Sequence, residues 1–259
     1  MKLKFLLLVA ALIFSSVAAS AGVFQKGEEL EYEVSFFGIG IGKIVIISEG
    51  EEEYNGRPVY KAKATMDSYS GIPFVDLHAI FNSWMDKSMA FSHKFVGNVK
   101  SGENTWNYQK ILFNYTKNVM LNERWHEKTI VFSDTIRIGK KKYNDGLSLF
   151  FMARNYVDLG RTVNVPTIID KDTVMTKLNF HGTIKPSEID AVKYPISTLY
   201  FNGQANWTGI YGLSGEFEGW FSSDDAHVPI RAEMNVYVGS VDIELVRWKR
   251  PGWTPPRYK

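Results

Sequence analysis

Asp224, Asp225 and His227 put two carboxylates and an imidazole within a single turn, the densest chemical grouping in the chain. Such a set could hold a cation or exchange protons with a substrate. The same residues also suit a polar turn whose side chains bond their own backbone ahead of a strand at Pro229, which is the commoner origin of an Asp-Asp pair. A Ca2+ ion would need more oxygen ligands than this turn supplies. The five histidines, His78, His93, His126, His181 and His227, stand at no metal-ligand spacing, and the absence of cysteine removes zinc thiolates, disulfides and thiol chemistry. No Gly-x-Ser-x-Gly elbow and no phosphate loop occur. Gly38-Ile39-Gly40-Ile41-Gly42 has the wrong spacing for a dinucleotide fingerprint and reads as a bent hairpin or bulge, or as room for a ligand beside the sheet. The expectation is a chain that is not an enzyme, with no cofactor, no metal and no catalytic residues.

A second set is apolar. Trp84, Trp106, Tyr108, Phe113, Tyr115 and Trp125 fall in the middle of the chain, and Trp207, Tyr211, Phe217, Trp220 and Phe221 come later. Core packing is the default for such rings, but rings lining a rolled sheet also suit a pocket for acyl chains or sugars. Trp84, Trp106, Phe150 and Phe151 are the ligand-binding candidates on that reading.

Strands must position these residues. Leu30, Tyr32, Val34 and Phe36 alternate with Glu29, Glu31 and Glu33, the period of a strand with one buried face. Ile230, Ala232, Met234, Val236 and Val238 repeat the pattern, which resumes after a Gly239-Ser240 turn with Val241, Ile243 and Leu245; this predicts an antiparallel pair. Turn chemistry at Asn55-Gly56, Asn202-Gly203, Gly212-Leu213-Ser214-Gly215 and Ser223-Asp224-Asp225 predicts a meander of short strands. One segment breaks the rule: from Asp145 to Gly160 apolar residues occur on nearly every side, which predicts an enclosed helix over about 145–159 with Asp145 as N-cap. The fold class expected is mainly β, a single large curved antiparallel sheet rolled into a half-barrel or β-roll around one inserted buried helix.

The composition, 45% hydrophobic and 14% aromatic, suits a large core and excludes a disordered chain. Residues 1–21 read as an export signal: Lys2 and Lys4, the apolar run Phe5 to Phe14, then the small-x-small site Ala19-Ser20-Ala21. That run is shorter than the roughly 20 residues a membrane-spanning helix takes, so no transmembrane anchor is expected. Removing Lys2 and Lys4 leaves 28 basic residues against 28 acidic ones, and a neutral chain lacks the electrostatic footprint of a nucleic-acid binder. A single β-roll domain is expected over 22–250, followed by a Pro-rich tail, 251–259, lying over the surface as an extended strap.

Gly27-Glu28-Glu29-Leu30-Glu31-Tyr32, Gly38-Ile39-Gly40-Ile41-Gly42, the helix start Asp145-Gly146-Leu147-Ser148 and Gly219-Trp220-Phe221-Ser222-Ser223-Asp224-Asp225 before Pro229-Ile230 together resemble a known bacterial exported family. That family is domain of unknown function 3108, and the resemblance runs from about Phe24 to Leu245. It implies an exported protein of the Gram-negative envelope, in the periplasm or secreted, and supplies no catalytic residues. More distantly, the implied shape is similar to periplasmic carriers of the lipoprotein-sorting type, a fold analogy only. The leading functional expectation is a periplasmic carrier for an apolar or lipid-like envelope component. The alternative is an envelope protein that binds another protein by strand addition, and the least favoured is a hydrolase acting through Asp224, Asp225 and His227.

Overall fold

The computed structural model describes residues 22–72, 76–101, 105–205, 214–236 and 239–259. Residues 1–21, read above as an export signal, lie outside them, as do Trp207, Tyr211, Gly212, Leu213 and Val238. From the first described residues the chain builds an eight-stranded meander: β1 (Glu29–Phe36), β2 (Ile39–Tyr54), β3 (Arg57–Ser68), β4 (His78–Asp86), β5 (Ser92–Lys100), β6 (Trp106–Asn114), β7 (Val119–His126) and β8 (Thr129–Arg137). Helix α1 (Gly146–Asn155) follows. A six-stranded meander completes the chain: β9 (Thr162–Ile169), β10 (Asp172–Ser187), β11 (Ile196–Ala205), β12 (Gly215–Ser222), β13 (Pro229–Asn235) and β14 (Ser240–Lys249).

The two meanders form one 14-stranded antiparallel sheet because β14 pairs with β1. Its order, β8 through β1 and then β14 through β9, leaves β8 and β9 as the two edges, and they do not pair with each other. The sheet nevertheless curls. Asn122 and Gln109, from β7 and β6, both donate to the carbonyl of Asp170 in the β9–β10 turn, and Arg124 meets the Asp170 carboxylate at 2.9 Å. Ile168 packs with Phe95, Ile111, Phe113 and Met120 of the opposite wing. This is the half-barrel expected from the turn-rich alternation, an open curved sheet with a single helix.

Helix α1 fills the concave face. Leu147 and Phe151 pack with Leu30, Tyr32, Met85, Ile230 and Leu245, while Leu149, Met152 and Ala153 pack with Leu178, Phe180, Phe201 and Phe221. Its N-terminus is capped as expected: Asp145 Oδ1 accepts the N–H groups of Leu147 and Ser148 at 2.9 and 2.8 Å, and Ser148 Oγ in turn accepts the N–H of Asp145. Gly160, expected to stop the helix, closes instead a short 3-10 turn, Val157–Leu159, that follows α1; it sits in the left-handed region at φ 60°.

Asp145 is fully buried, and burial pushes its carboxyl up against the opposing bonds from Ser92, Ser148, Ser83 and the helix N–H groups. A raised carboxyl favours the fold at low pH and opposes it once ionised. Asp145→Asn, an equally good N-cap without the charge, is therefore expected to leave Tm at pH 7 unchanged or higher. Asp145→Ala loses the cap, about 1–2 kcal/mol, and thermal melting of the two variants separates cap from charge.

Asn202-Gly203, expected as a turn, lies inside β11. Asn202 pairs with Glu218 and Gly203 with Phe217, so the glycine serves packing and not chain reversal. The reason is steric: the Phe217 ring lies where a Gly203 side chain would stand, and Phe201 lies in the same way over Gly219. A third such pair, Phe81 over Gly97, occurs in the other wing. Aromatic rings thus cover glycines across neighbouring strands, which lets the sheet bend.

Candidate functional site

Three segments meet at the C-terminal end of α1. Glu28, just before β1, Arg154, on the last turn of α1, and Arg250, just after β14, are all buried. Arg154 grips the Glu28 carboxylate with two parallel bonds, Nη1 to Oε1 at 2.5 Å and Nη2 to Oε2 at 2.9 Å. Arg250 Nη1 donates to the same Oε2. Burial alone would raise the Glu28 carboxyl, but the Arg154 and Arg250 guanidiniums together outweigh it and hold it below the usual carboxylate range.

The remaining donors go to backbone. Arg154 Nε donates to the carbonyls of Ala226 and His227 at 3.1 and 3.0 Å, and Arg250 Nη2 donates to Gly22 O at 2.8 Å. The triad therefore ties the first described residues, the helix, the β12–β13 turn and the start of the tail into one knot. Its carboxylate and both guanidiniums are held by partners and shielded from water, an arrangement suited to a staple.

The Asp224, Asp225 and His227 turn forms the outer half of this knot. Asp224 Oδ1 accepts from Ser222 Oγ at 2.6 Å, and its Oδ2 accepts from Trp253 Nε1 of the tail at 2.7 Å. His227 donates its backbone N–H to Asp224 O, and its ring Nδ1 lies 3.1 Å from Arg154 O, so Nδ1 carries the proton there. Asp225 is exposed. Among the described residues no group of three or more His, Asp or Glu side chains is arranged to hold a metal ion. The geometry gives Asp224 the task of seating the tail, whose Tyr258 N–H bonds Pro195 O and whose Pro256 O accepts from Ser197 N–H.

The four aromatic candidates do not share one space. Phe150 and Phe151 touch edge to face at 5.3 Å, and Phe151 also meets Phe24 at 5.6 Å. Trp84 points the other way, since its strand neighbours Ser83 and Met85 are the buried ones. It stands on the outer face between Lys61 and Lys94, 5.2 and 4.1 Å from its ring, with Nε1 bonded to Glu52. Trp106 meets His78 edge-on at 5.3 Å. The described residues include two solvent-open notches of about 350 and 370 Å³. One is lined by Phe24, Lys26, Gly50, Glu51 and Tyr60, the other by Glu188, Asp190, Tyr194 and Glu244 among others.

Sequence reasoning missed Glu28, Arg154 and Arg250 as a set, although two signals were present. Glu28 is in phase with the buried Leu30 and Tyr32, and Arg154 interrupts a helix that is apolar on almost every side. A charge on an inward phase needs an opposite charge.

Two of the quoted motifs thus meet α1 directly, the Gly27-Glu28 entry and the Asp145 cap, and the Ser222 to Asp225 turn leads into Ala226 and His227, whose carbonyls accept from Arg154. The family model of a protein of unknown function, DUF3108, matches residues 31–246. The chain belongs to this family. No curated protein matches this chain. Among solved structures, a β-barrel-like protein of domain of unknown function DUF1849 from Brucella abortus is similar over 88% of this chain and 98% of its own. Its TM-score is 0.58 at 10% identity. A protein with a YmcC-like fold from Bacteroides fragilis is 11% identical over 88% of this chain and 100% of its own, with a TM-score of 0.36. At this identity the first likeness is one of fold alone. Among the described residues no helix is long and apolar enough to cross a membrane.

Proposed function

We propose that this chain is an exported, non-catalytic envelope protein that binds another protein by strand addition along β8. The observation that carries the reading is the state of that edge. Among the described residues β8 pairs with β7 alone, and it is exposed along most of its length, with Ile130 and Val131 at 55% and 59%. The opposite edge is partly covered, because Asn144 bridges β9 at Thr167. A register shift next to Trp125 makes Val131 a bulge, and Phe132 to Arg137 beyond it remain regularly paired on their inner side only. An unpaired edge that runs regularly from Phe132 to Arg137, with the exposed apolar Ile130 and Val131 at its bulged start, is a template for a partner strand. The leader at 1–21 supports export to the compartment where such a partner would be met.

The carrier reading draws support from the same curvature and from the apolar concave face. Against it stands α1, which occupies that face and is fastened at one end by Asp145 and at the other by Arg154. Carriage would require the helix to leave.

The two readings separate in one experiment. A photo-crosslinking residue at Ser133 is expected to give one dominant protein adduct in cells. Ile130→Lys with Val131→Lys, both on exposed sites, is expected to reduce it roughly tenfold without lowering Tm, since edge lysines oppose pairing. No protein adduct, together with a stoichiometric lipid on the purified protein in native mass spectrometry, would overturn strand addition in favour of carriage.

A further inference from the structure

β1 and β2 are joined by two residues, Phe37 and Gly38, at φ 49° and 76°, with Phe36 paired to Ile39 across the turn. A two-residue hairpin with both central residues at positive φ fits the sheet twist and favours Asn, Asp or Gly at its first position. Phe37 is the opposite kind of residue: its β-carbon is strained there, and its ring is 76% exposed. Ile39, just past the turn, is 64% exposed. Backbone strain and unburied apolar surface therefore coincide at one position, and the hairpin itself requires neither.

The surroundings hold these side chains outward. The Phe36 and Phe37 rings lie 4.4 Å apart. A β-carbon at Gly239, just before β14, would stand only 3.3 Å from Phe37 Cζ, so Gly239 backs the ring closely. Tyr69, at the end of β3 and 37% exposed, completes the rim: its N–H bonds Ile41 O and its hydroxyl donates to Glu33 Oε2 at 3.3 Å.

We propose that this hairpin tip is a lipid-contact site, at which Phe37 and Ile39 insert shallowly into a bilayer surface with the Tyr69 hydroxyl at the polar boundary. Size and shape select the occupant. A standard protein interface buries about 800 Å² per partner over a matched surface. Among the described residues, the two protruding side chains and two partly exposed ones at this tip fall well short of that. A bilayer asks for no matching surface, and each apolar side chain contributes its own transfer free energy. Charge selects the lipid. Behind the tip Glu33 faces Lys43 and Lys43 faces Asp67 across β1, β2 and β3, so the described residues there form no basic collar to demand anionic headgroups. The site is separate from β8 and does not depend on the strand-addition reading.

The test is co-sedimentation of the full mature chain with phosphatidylcholine–phosphatidylethanolamine vesicles, with Tm measured alongside. The wild-type chain is expected to bind weakly and reversibly. Phe37→Asn is expected to lower vesicle partition roughly tenfold or more while Tm holds or rises, because Asn-Gly suits the turn. Adding Ile39→Ser is expected to abolish binding. A wild-type chain that stays in the supernatant would overturn the proposal, as would variants that bind like wild type. A fall in Tm for Phe37→Asn would overturn it too, since the ring would then serve the fold. So would loss of self-association or of a protein crosslink by the variants without any vesicle binding, which would make the tip a protein contact.

Discussion

Glu28→Ala is expected to be among the most destabilising single substitutions in this chain. It removes the one carboxylate that two buried guanidiniums share, and breaking a buried ion pair from one side costs about 3–5 kcal/mol because the remaining charge stays in the interior. Arg154 keeps its bonds to Ala226 and His227, and Arg250 keeps Gly22, which holds the loss within that range. At about 2–4 °C per kcal/mol for a chain of this size, Tm should fall by about 6–20 °C. The triple variant Glu28→Leu, Arg154→Met, Arg250→Met is expected to recover only part of that loss: no charge stays buried without a partner, but the carbonyls of Ala226, His227 and Gly22 lose their donors. Melting of Glu28→Ala at the wild-type temperature would show that the knot contributes nothing to stability.

The same carboxylate gives the fold an acid limb. Its titration is depressed in the folded chain, so its contribution is fully present above the unfolded value of about 4.3 and is lost as pH falls through the folded value. Asp145 works in the opposite sense, since burial raises it and acid relieves its charge. Wild-type Tm should therefore fall below about pH 4, with a shallower fall in Glu28→Gln.

How much of this was legible in the sequence depends on the range of the interaction. Alternation in Glu29 to Phe36 and Ile230 to Leu245 is local and reports which face is buried, so the antiparallel meander and the enclosed helix followed from it. Asp145 as a cap is equally local, set by the residues two and three positions on. The Glu28, Arg154 and Arg250 knot joins residues more than 90 positions apart, and no spacing rule reaches that far. Asp224 and His227 looked like chemistry because their types are chemical. Their partners, Trp253 and the Arg154 carbonyl, come from segments that only the folded chain brings near. Trp84 was grouped with Phe150 and Phe151 by type, although period-two alternation from the buried Ser83 and Met85 already sends it to the other face.

Gly203 exposes the same limit in a position whose effect is purely steric. Read locally, Asn-Gly is a turn; in β11 it is a gap that a ring from the next strand fills. A β-carbon there would stand 2.3 Å from Phe217 Cζ and 2.6 Å from Lys177 O. The ring could swing aside, but the carbonyl belongs to β10 and cannot move without disturbing the β10–β11 ladder that pairs Leu178 with Gly203. Gly203→Ala is therefore expected to destabilise by about 1–3 kcal/mol, the range for inserting a methyl group into a filled interior. Adding Phe217→Leu should recover only part of the loss, because it removes the ring clash and leaves the carbonyl. Gly146→Ala is the matched control: at the start of α1 its β-carbon meets nothing closer than Ile169 Cδ1 at 3.9 Å, and it should hold or raise Tm by shedding glycine's freedom in the unfolded chain. Equal melting temperatures for Gly203→Ala and Gly146→Ala would mean that the β11–β12 ring-over-glycine packing does not constrain the sheet.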